Sequence, residues 1–553
     1  MRFFQIKKKP FSSVPLPPAE KMTSDPDTLT RLSAWDQAAM RTYMRFVLCF
    51  PFDNTALTAA AEHIEASLAR LARQRPDFAG TLEVHKGGIV YLRTRASHNR
   101  EKPKIPFSIV DIASQFPYAS YDELKEAEYP PAAFVGSHFA HPCVLSEGEP
   151  GVPVAVVKAF IIRGGLMLGI FFCHASADGD CLRIFLDAFS GQTRNKLVSG
   201  ASVRNLNVLP PGGLADGSDA RLNSLLKRIP EYVILDDPVG PTAPKLRAGG
   251  VPMDEIAKTG KVFVLNNNRL NELRRGLVNA CGKTTEAVNG ASNNCAHGNG
   301  NENENENENE NGNGNGNGNG NGNGNGNTNN TGAVGQTPPS VYTCLAALTW
   351  AHVVRARMAD TAEYVPHSPA TDGTALLQTM VNWKSRAFQK ENPNYFGNAT
   401  AVAVTRLPTD DGLLTEAPRN MSRLAELVYA IEKTIAGVND DYVRDRTELF
   451  TLVDDPRRIG LRFDPRTRQD LGFNTWRYFG ADTEWAIPGV GHGVMSPDRI
   501  RRLQDVWNMS GALILPAKSS STIHELLVTL PQSSMDLLCQ DPDWMCWVDR
   551  VIG

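Results

Sequence analysis

Leu166-Met-Leu-Gly-Ile-Phe-Phe-Cys173 runs directly into His174-Ala-Ser-Ala-Asp-Gly179, and Cys181-Leu-Arg-Ile-Phe-Leu-Asp-Ala-Phe189 follows. The first stretch is an unbroken apolar run and predicts a buried strand; the last is amphipathic and predicts a helix. A histidine at such a strand-to-helix junction has its backbone fixed by packing while its ring is left at a cleft, which is where a general base is kept. An H-x-x-x-D match alone is weak evidence, because a chain with 11 His and 60 acidic residues produces one readily by chance.

Working outward, Val154 to Ile162 and Leu166 to Phe172 read as a β-hairpin turning at Gly164-Gly165. Upstream, Leu57, Ala60, Ile64, Leu68 and Leu71 recur at helical spacing until Pro76 ends the pattern. Downstream, the strand Lys261-Val-Phe-Val-Leu265 precedes a helical pattern at Leu270, Leu273 and Leu277. Ser340, after Pro338-Pro339, is placed to cap a helix carrying Val341, Leu345, Leu348 and His352 on one face. Helices alternate with strands in both halves, which predicts two α/β layers meeting at a cleft.

At 553 residues the chain exceeds one hydrophobic core and suits two domains. The expected division is a flexible leader at 1–25, an N-terminal domain at 26–225, a crossover segment at 226–260 and a C-terminal domain at 261–553. From about Asn293 to Gly332 the sequence degenerates into Asn-Glu and Asn-Gly repeats. Such residues bury nothing, so 293–332 reads as a disordered insert, tolerated because long surface loops cost little. The net charge of -3, with no basic block beyond Lys7-Lys-Lys9, gives no reason to expect nucleic acid. Nine cysteines form no C-x-x-C pair, and several sit in apolar runs, as reduced thiols of a cytoplasmic protein do. No apolar run is long enough to span a membrane, and the first 25 residues lack the apolar core of a secretory signal.

Several separated segments resemble the BAHD superfamily of coenzyme A-dependent acyltransferases, and more narrowly its fungal, trichothecene 3-O-acetyltransferase-like branch. Leu32-Ser-Ala-Trp-Asp-Gln37 with Arg45-Phe-Val-Leu-Cys-Phe50 is similar to the branch's opening, and His174 to Gly179 to its H-x-x-x-D-G motif. Asn394-Tyr-Phe-Gly-Asn-Ala399 resembles the far more specific Y-F-G-N-A segment. Met535-Asp-Leu-Leu-Cys-Gln-Asp541 and Trp547-Val-Asp-Arg-Val-Ile-Gly553 are similar to its closing helix. The resemblance implies a two-domain α/β fold of the chloramphenicol acetyltransferase type, with an inter-domain channel. It also implies a monomer that moves an acyl group, expected to be acetyl, from acyl-CoA to a hydroxyl of a fungal secondary metabolite, with no permanently bound cofactor.

Within that chemistry His174 is the expected base, because a neutral imidazole can take the hydroxyl proton and return it to the departing thiolate. The resemblance implies that Asp178 shapes the site through a salt bridge. Relatives supply an Arg near the position where this chain has Ser340-Val341, so Arg386 is a candidate substitute. The relatives' D-x-R pattern reads Asn382-Trp383-Lys384-Ser385-Arg386 here, and their late D-F-G motif is replaced around Trp476 and Glu484-Trp485-Ala486. A Lys384 to Glu484 ion pair is therefore expected under the cleft. Asn474 and Thr475 are candidate oxyanion donors, with the Trp485 indole as an alternative. Trp485 and the glycines of Gly489-Val-Gly-His-Gly493, chiefly Gly489 and Gly491, are candidate contacts for the coenzyme A arm.

Other readings remain open from sequence. A metal on His174 and Asp178 lacks a third ligand at supporting spacing, since Cys173 should point the opposite way on its strand. Condensation domains of peptide synthetases carry a first His where this chain has Cys173. An amine acceptor, or a non-catalytic ligand-binding protein of the same fold, would share most of these residues.

Overall fold

The computed structural model describes residues 27–95, 103–197, 204, 206–209, 219–289, 338–362, 373–392, 394–509 and 511–553. The expected leader at 1–25 and the repeat insert at 293–332 lie outside these residues.

The first large sheet draws on β1 (Tyr43–Pro51), β2 (Phe107–Asp111), β3 (Ala155–Ile162) and β4 (Gly165–Cys173). The hairpin read from sequence is β3–β4, antiparallel from Ala155↔Phe172 to Ile162↔Gly165. Gly164 takes φ 74° at its turn, a left-handed conformation that suits glycine. Between β1 and β2 runs α1 (Leu57–Gln74), which buries Ala60, Ile64, Leu68 and Leu71, the face the periodicity marked. After β4 comes α2 (Gly179–Thr193), and the two helices share one apolar core with the sheet.

The second sheet begins at β5 (Lys258–Asn266), which leads into α3 (Asn267–Asn289). Next comes α4 (Val341–Ala359), whose first turn is capped by Ser340 Oγ accepting from Thr343 N at 3.1 Å. This helix was expected to bury one face; it is instead enclosed almost all round, from Thr343 through Arg357. Its His352 ring pairs through Nδ1 with Asp541 at 2.9 Å, while Nε2 is buried without a partner. The chain continues through β6 (Thr374–Asn382), β7 (Thr400–Pro408), α5 (Met421–Ala436) and β8 (Leu471–Thr475). It then passes through β9 (Arg499–Arg502), β10 (Gly511–Ile514), β11 (Ile523–Pro531) and β12 (Arg550–Ile552).

Seven of these strands form one sheet in the order β7-β6-β8-β10-β11-β5-β12. The eighth, β9, leaves it and pairs antiparallel with β1, giving the first sheet the order β9-β1-β4-β3-β2. A strand from late in the chain thus completes the early sheet. Arg501 on β9 fastens the exchange: its guanidinium meets Glu525 of β11 at 2.9 Å, and both side chains are buried. A buried charge pair of this kind resists separation because breaking it would strand an ion in a low dielectric.

Candidate functional site

His174 stands one residue beyond β4. Its N–H donates to Thr42 O at 2.8 Å, and its C=O accepts from Asn398 Nδ2 at 2.8 Å. Both ends of its peptide are therefore tied down before the ring is considered. Asn398 is held in turn by the buried Asp36 carboxylate, whose Oδ1 accepts from Asn398 N at 2.7 Å and Nδ2 at 2.8 Å. Burial pushes the Asp36 carboxyl above its ordinary value, against the nearby Arg204 charge and the Asn398 donors. Ser33 Oγ lies 2.7 Å from Tyr395 Oη and 2.9 Å from Asp36 Oδ2. Three segments far apart in the chain, Leu32 to Gln37, His174 to Gly179 and Asn394 to Ala399, thus converge in one latch. Gly397 is required there, since a Cβ would lie 2.4 Å from Tyr395 Oη and 3.0 Å from Asp36 Oδ2.

Asp178 has no arginine partner among the described residues. It caps α2, with Oδ1 accepting from Asp180 N at 3.1 Å and Cys181 N at 3.2 Å. Its Oδ2 accepts from Ala399 N at 2.9 Å and Thr400 Oγ1 at 3.2 Å. The helix N-terminus and the start of β7 supply the positive end that a guanidinium would otherwise provide. The proposed substitute fails: Arg386 is exposed and reaches toward Ile435 O. Gly179 follows Asp178 for a steric reason and not for a special backbone conformation. Gly179 is not in the left-handed region; a Cβ there would sit 2.2 Å from Phe479 Cζ, so the ring's close approach demands glycine.

The Lys384 to Glu484 pair does not form. Lys384 Nζ instead meets Asp180 Oδ2 at 3.0 Å and Tyr395 O at 3.2 Å, while Glu484 pairs with Arg194 at 2.6 Å. The reason is placement: Asp180 lies in the first turn of α2, facing the loop that carries Lys384. A double-mutant cycle of Lys384→Met with Asp180→Asn, measured by denaturant unfolding, is expected to give a coupling of about 0.5–1.5 kcal/mol. The matching cycle of Lys384 with Glu484 should be additive, and the reverse result would refute the assignment.

The His174 ring opens onto a cavity of about 800 Å³ between the two large sheets. Nδ1 is buried without a hydrogen-bond partner, so Nε2 is the nitrogen open to the cavity. Tyr43, Met44 and Arg45 line it from β1; Gln378, Met380 and Asn382 from β6; Asn474 and Thr475 from the end of β8. Both sequence candidates for oxyanion donation therefore share the cavity with His174. Asn474 Oδ1 accepts from Thr475 N at 2.7 Å, and Thr475 Oγ1 accepts from Arg477 N at 3.2 Å. These contacts use acceptors, which leaves the Asn474 amide and Thr475 hydroxyl hydrogens to be donated elsewhere.

Trp485 is elsewhere. It is fully buried, packed edge-on against Phe189 and Phe50 with ring centroids at 5.0 and 6.3 Å, so it reaches neither an oxyanion nor a cofactor in the cavity. Gly489 and Gly491 line a separate, open groove of about 620 Å³ with His63, Arg194 and Glu484. Both glycines have positive φ, 82° and 57°. A Cβ on Gly489 would fall 2.7 Å from Ala56 Cβ and 2.8 Å from Phe52 Cε2, so protein packing accounts for it without a ligand. Sequence reasoning missed Asp36, Asn398, Asp180 and Thr400 as parts of the site. The segments at Leu32 to Gln37, His174 to Gly179 and Asn394 to Ala399 contain or adjoin all four, but their likeness to the branch did not reveal what these residues hold.

Among the described residues, no three His, Cys, Asp or Glu side chains come together as a metal set requires. The described cysteines Cys49, Cys143, Cys173, Cys181, Cys344, Cys539 and Cys546 are all free thiols. No described helix is long and apolar enough to cross a membrane.

Residues 42–190 match the family model of the trichothecene 3-O-acetyltransferase-like N-terminal domain. The acyltransferase easC of Emericella nidulans is 28% identical over 229 residues, covering 39% of this chain and 46% of that protein. Eremophilane O-acetyltransferase ORF8 of Penicillium roqueforti is 27% identical over 201 residues, covering 34% of this chain and 39% of that protein. The chain therefore spans less than half the length of these curated relatives. Among solved structures, F. graminearum TRI101 complexed with coenzyme A and T-2 mycotoxin superposes with a TM-score of 0.64 at 15% identity. That superposition covers 95% of this chain and 100% of TRI101, which shows the fold: a mixed α/β architecture of the chloramphenicol acetyltransferase-like type.

Proposed function

From a chain that resembles the trichothecene 3-O-acetyltransferase-like branch of the BAHD acyltransferases, we propose an acyl-CoA-dependent O-acyltransferase acting on a small-molecule alcohol. The observation that carries this reading is the His174 ring, with Nε2 open to an inter-sheet cavity of about 800 Å³ that Asn474 and Thr475 also line. A cavity of that size suits one drug-sized acceptor together with the end of a pantetheine arm.

In the proposed reaction Nε2 removes the acceptor's hydroxyl proton as the oxygen attacks the thioester carbonyl. The new C–O bond forms, and the carbonyl electrons move to an oxyanion stabilised by the Asn474 amide or the Thr475 hydroxyl. Collapse of this intermediate breaks the C–S bond, and the thiolate takes the proton back from the imidazolium. A thiolate leaves readily, so no acyl-enzyme is needed. Asp178 and Asn398 act as positioning residues: Asn398 holds the His174 carbonyl, and Asp178 ties the N-terminus of α2 to the segment that follows Asn398. Acyl-CoA is thus a co-substrate, with acetyl the acyl group favoured by likeness to named O-acetyltransferases.

The test is thiol release from acetyl coenzyme A across a panel of alcohols and amines, with products followed by mass. Release that depends on an alcohol, with an acetyl ester formed, is the expected result. Release with amines alone would make the protein an N-acyltransferase. Tight ligand binding without turnover would reduce it to a binding protein of the same fold.

A further inference from the structure

Arg502, at the end of β9, is opposite Phe46 in the antiparallel register, so the two side chains share a face of the first sheet. Both reach Trp476: the Phe46 ring centroid lies 6.5 Å from it, and the Arg502 guanidinium 5.9 Å. Trp476 and Arg502 line the cavity onto which His174 opens. The other charged groups lining that cavity have partners. Asp180 pairs with Lys384 and Arg183, Asp505 with Arg45, and the Arg477 guanidinium donates to Ile523 O and Ser521 O. Arg502 has no carboxylate at ion-pair distance among the described residues. Its polar neighbour is the uncharged side-chain amide of Asn508, whose oxygen accepts from the guanidinium in the orientation that satisfies both groups. Burial, with Arg45 adding repulsion, lowers its guanidinium to about 10. A partly buried cation without a counter-charge favours an anion beside it, and a guanidinium offers the planar donor set that oxyanions favour.

We propose that Arg502 forms an anion-binding subsite of the central cavity, taking a carboxylate or phosphate oxygen of one of the substrates. The Trp476 face covers the guanidinium from one side and the Asn508 oxygen takes one N–H each of Nη1 and Nη2, which leaves the remaining N–H groups, Nε–H among them, for the anion. The subsite stands on this geometry; only the assignment of its anion to a substrate rests on the acyl-transfer reading. Two sources share the chemistry, an acid group on the acceptor and a phosphate of coenzyme A.

The test uses calorimetry on the full chain with two matched pairs of probes: 4-(hydroxymethyl)benzoate against its methyl ester, and coenzyme A against pantetheine. The wild type is expected to bind the benzoate about tenfold more tightly than the ester. Arg502→Gln should cut that preference to about twofold while leaving the ester unchanged, and Arg502→Lys should keep part of it. If Arg502→Gln instead weakens coenzyme A relative to pantetheine, the subsite holds with phosphate as its anion. Should the Gln variant fail to give a native circular dichroism spectrum, the Lys variant decides, through a preference below that of the wild type. Equal ratios in wild type and variant for both pairs, or no binding of any probe to the wild type, would overturn the subsite. Wild-type turnover in the thiol-release assay is read separately. An intact anion preference without turnover would sink the acyl-transfer reading alone.

Discussion

His174→Ala is expected to lower kcat for thiol release by about 10²–10⁴-fold, with KM for acetyl coenzyme A changed far less. The loss falls on kcat because the ring moves a proton in the transition state and contributes little to holding either substrate. The variant should fold, because the structural work at this position belongs to the peptide group. Thr42 O accepts from its N–H at 2.8 Å and Asn398 Nδ2 donates to its C=O at 2.8 Å, and neither contact involves the imidazole. Residual activity above solution is expected from the remaining cavity, which still brings alcohol and thioester together. Steady-state kinetics with a thiol-reactive dye, alongside a thermal melt, checks both halves. A variant within tenfold of wild type would remove His174 from the reaction.

Asp178→Ala should destabilise the chain by about 3–5 kcal/mol and abolish measurable turnover. The carboxylate is 1% exposed and satisfies four donors: Asp180 N, Cys181 N, Ala399 N and Thr400 Oγ1. Losing a helix N-cap costs about 1 kcal/mol, and each buried N–H left unpaired costs about 1–3 kcal/mol more. Asp178→Asn is a sharper probe. One oxygen faces the α2 N-terminus and the other faces β7, so an amide NH₂ must confront donors on whichever side it takes. The Asn variant is therefore expected to be nearly as impaired as Ala, in urea midpoint and in kcat alike. A wild-type midpoint for Asp178→Asn would mean that the carboxylate is not the joint between α2 and β7. Restoring an arginine near Ser340 should help neither variant, because the structure satisfies Asp178 without one.

Much of this architecture is legible in consecutive residues. The α1 face at Ala60, Ile64, Leu68 and Leu71, the hairpin into Cys173 and the Ser340 cap all follow from periodicity or turn chemistry within a few residues. So does the position of His174 beside a cleft, since a strand running into a turn leaves its last side chain at an edge. The enclosure of α4 on nearly all sides was less visible, because an apolar helix pattern does not say how many layers cover it. The Y-F-G-N-A segment announced its importance without its role. Its role is to hold Asp36 and the His174 carbonyl, contacts that link residues 362 and 224 positions apart.

The errors have one physical origin. Lys384 meets Asp180 across 204 residues, whereas sequence reasoning sent it to Glu484 on charge sign alone. Electrostatic pairing depends on a few ångströms of separation and on burial, and neither quantity is encoded locally. The same holds for Trp485, whose aromatic character suited a ligand contact as well as the core that in fact encloses it. Local order along the chain thus settled which elements form and which imidazole stands at the cleft, since those depend on side-chain pattern over one or two turns. Partner choice for Asp178 and Lys384 was decided by the packing of α2 against the segment from Tyr395 to Thr400, and the place of Arg502 on the cavity wall by the crossing of β9 to the early sheet. Desolvation and distance, which select those partners, come into existence with that packing.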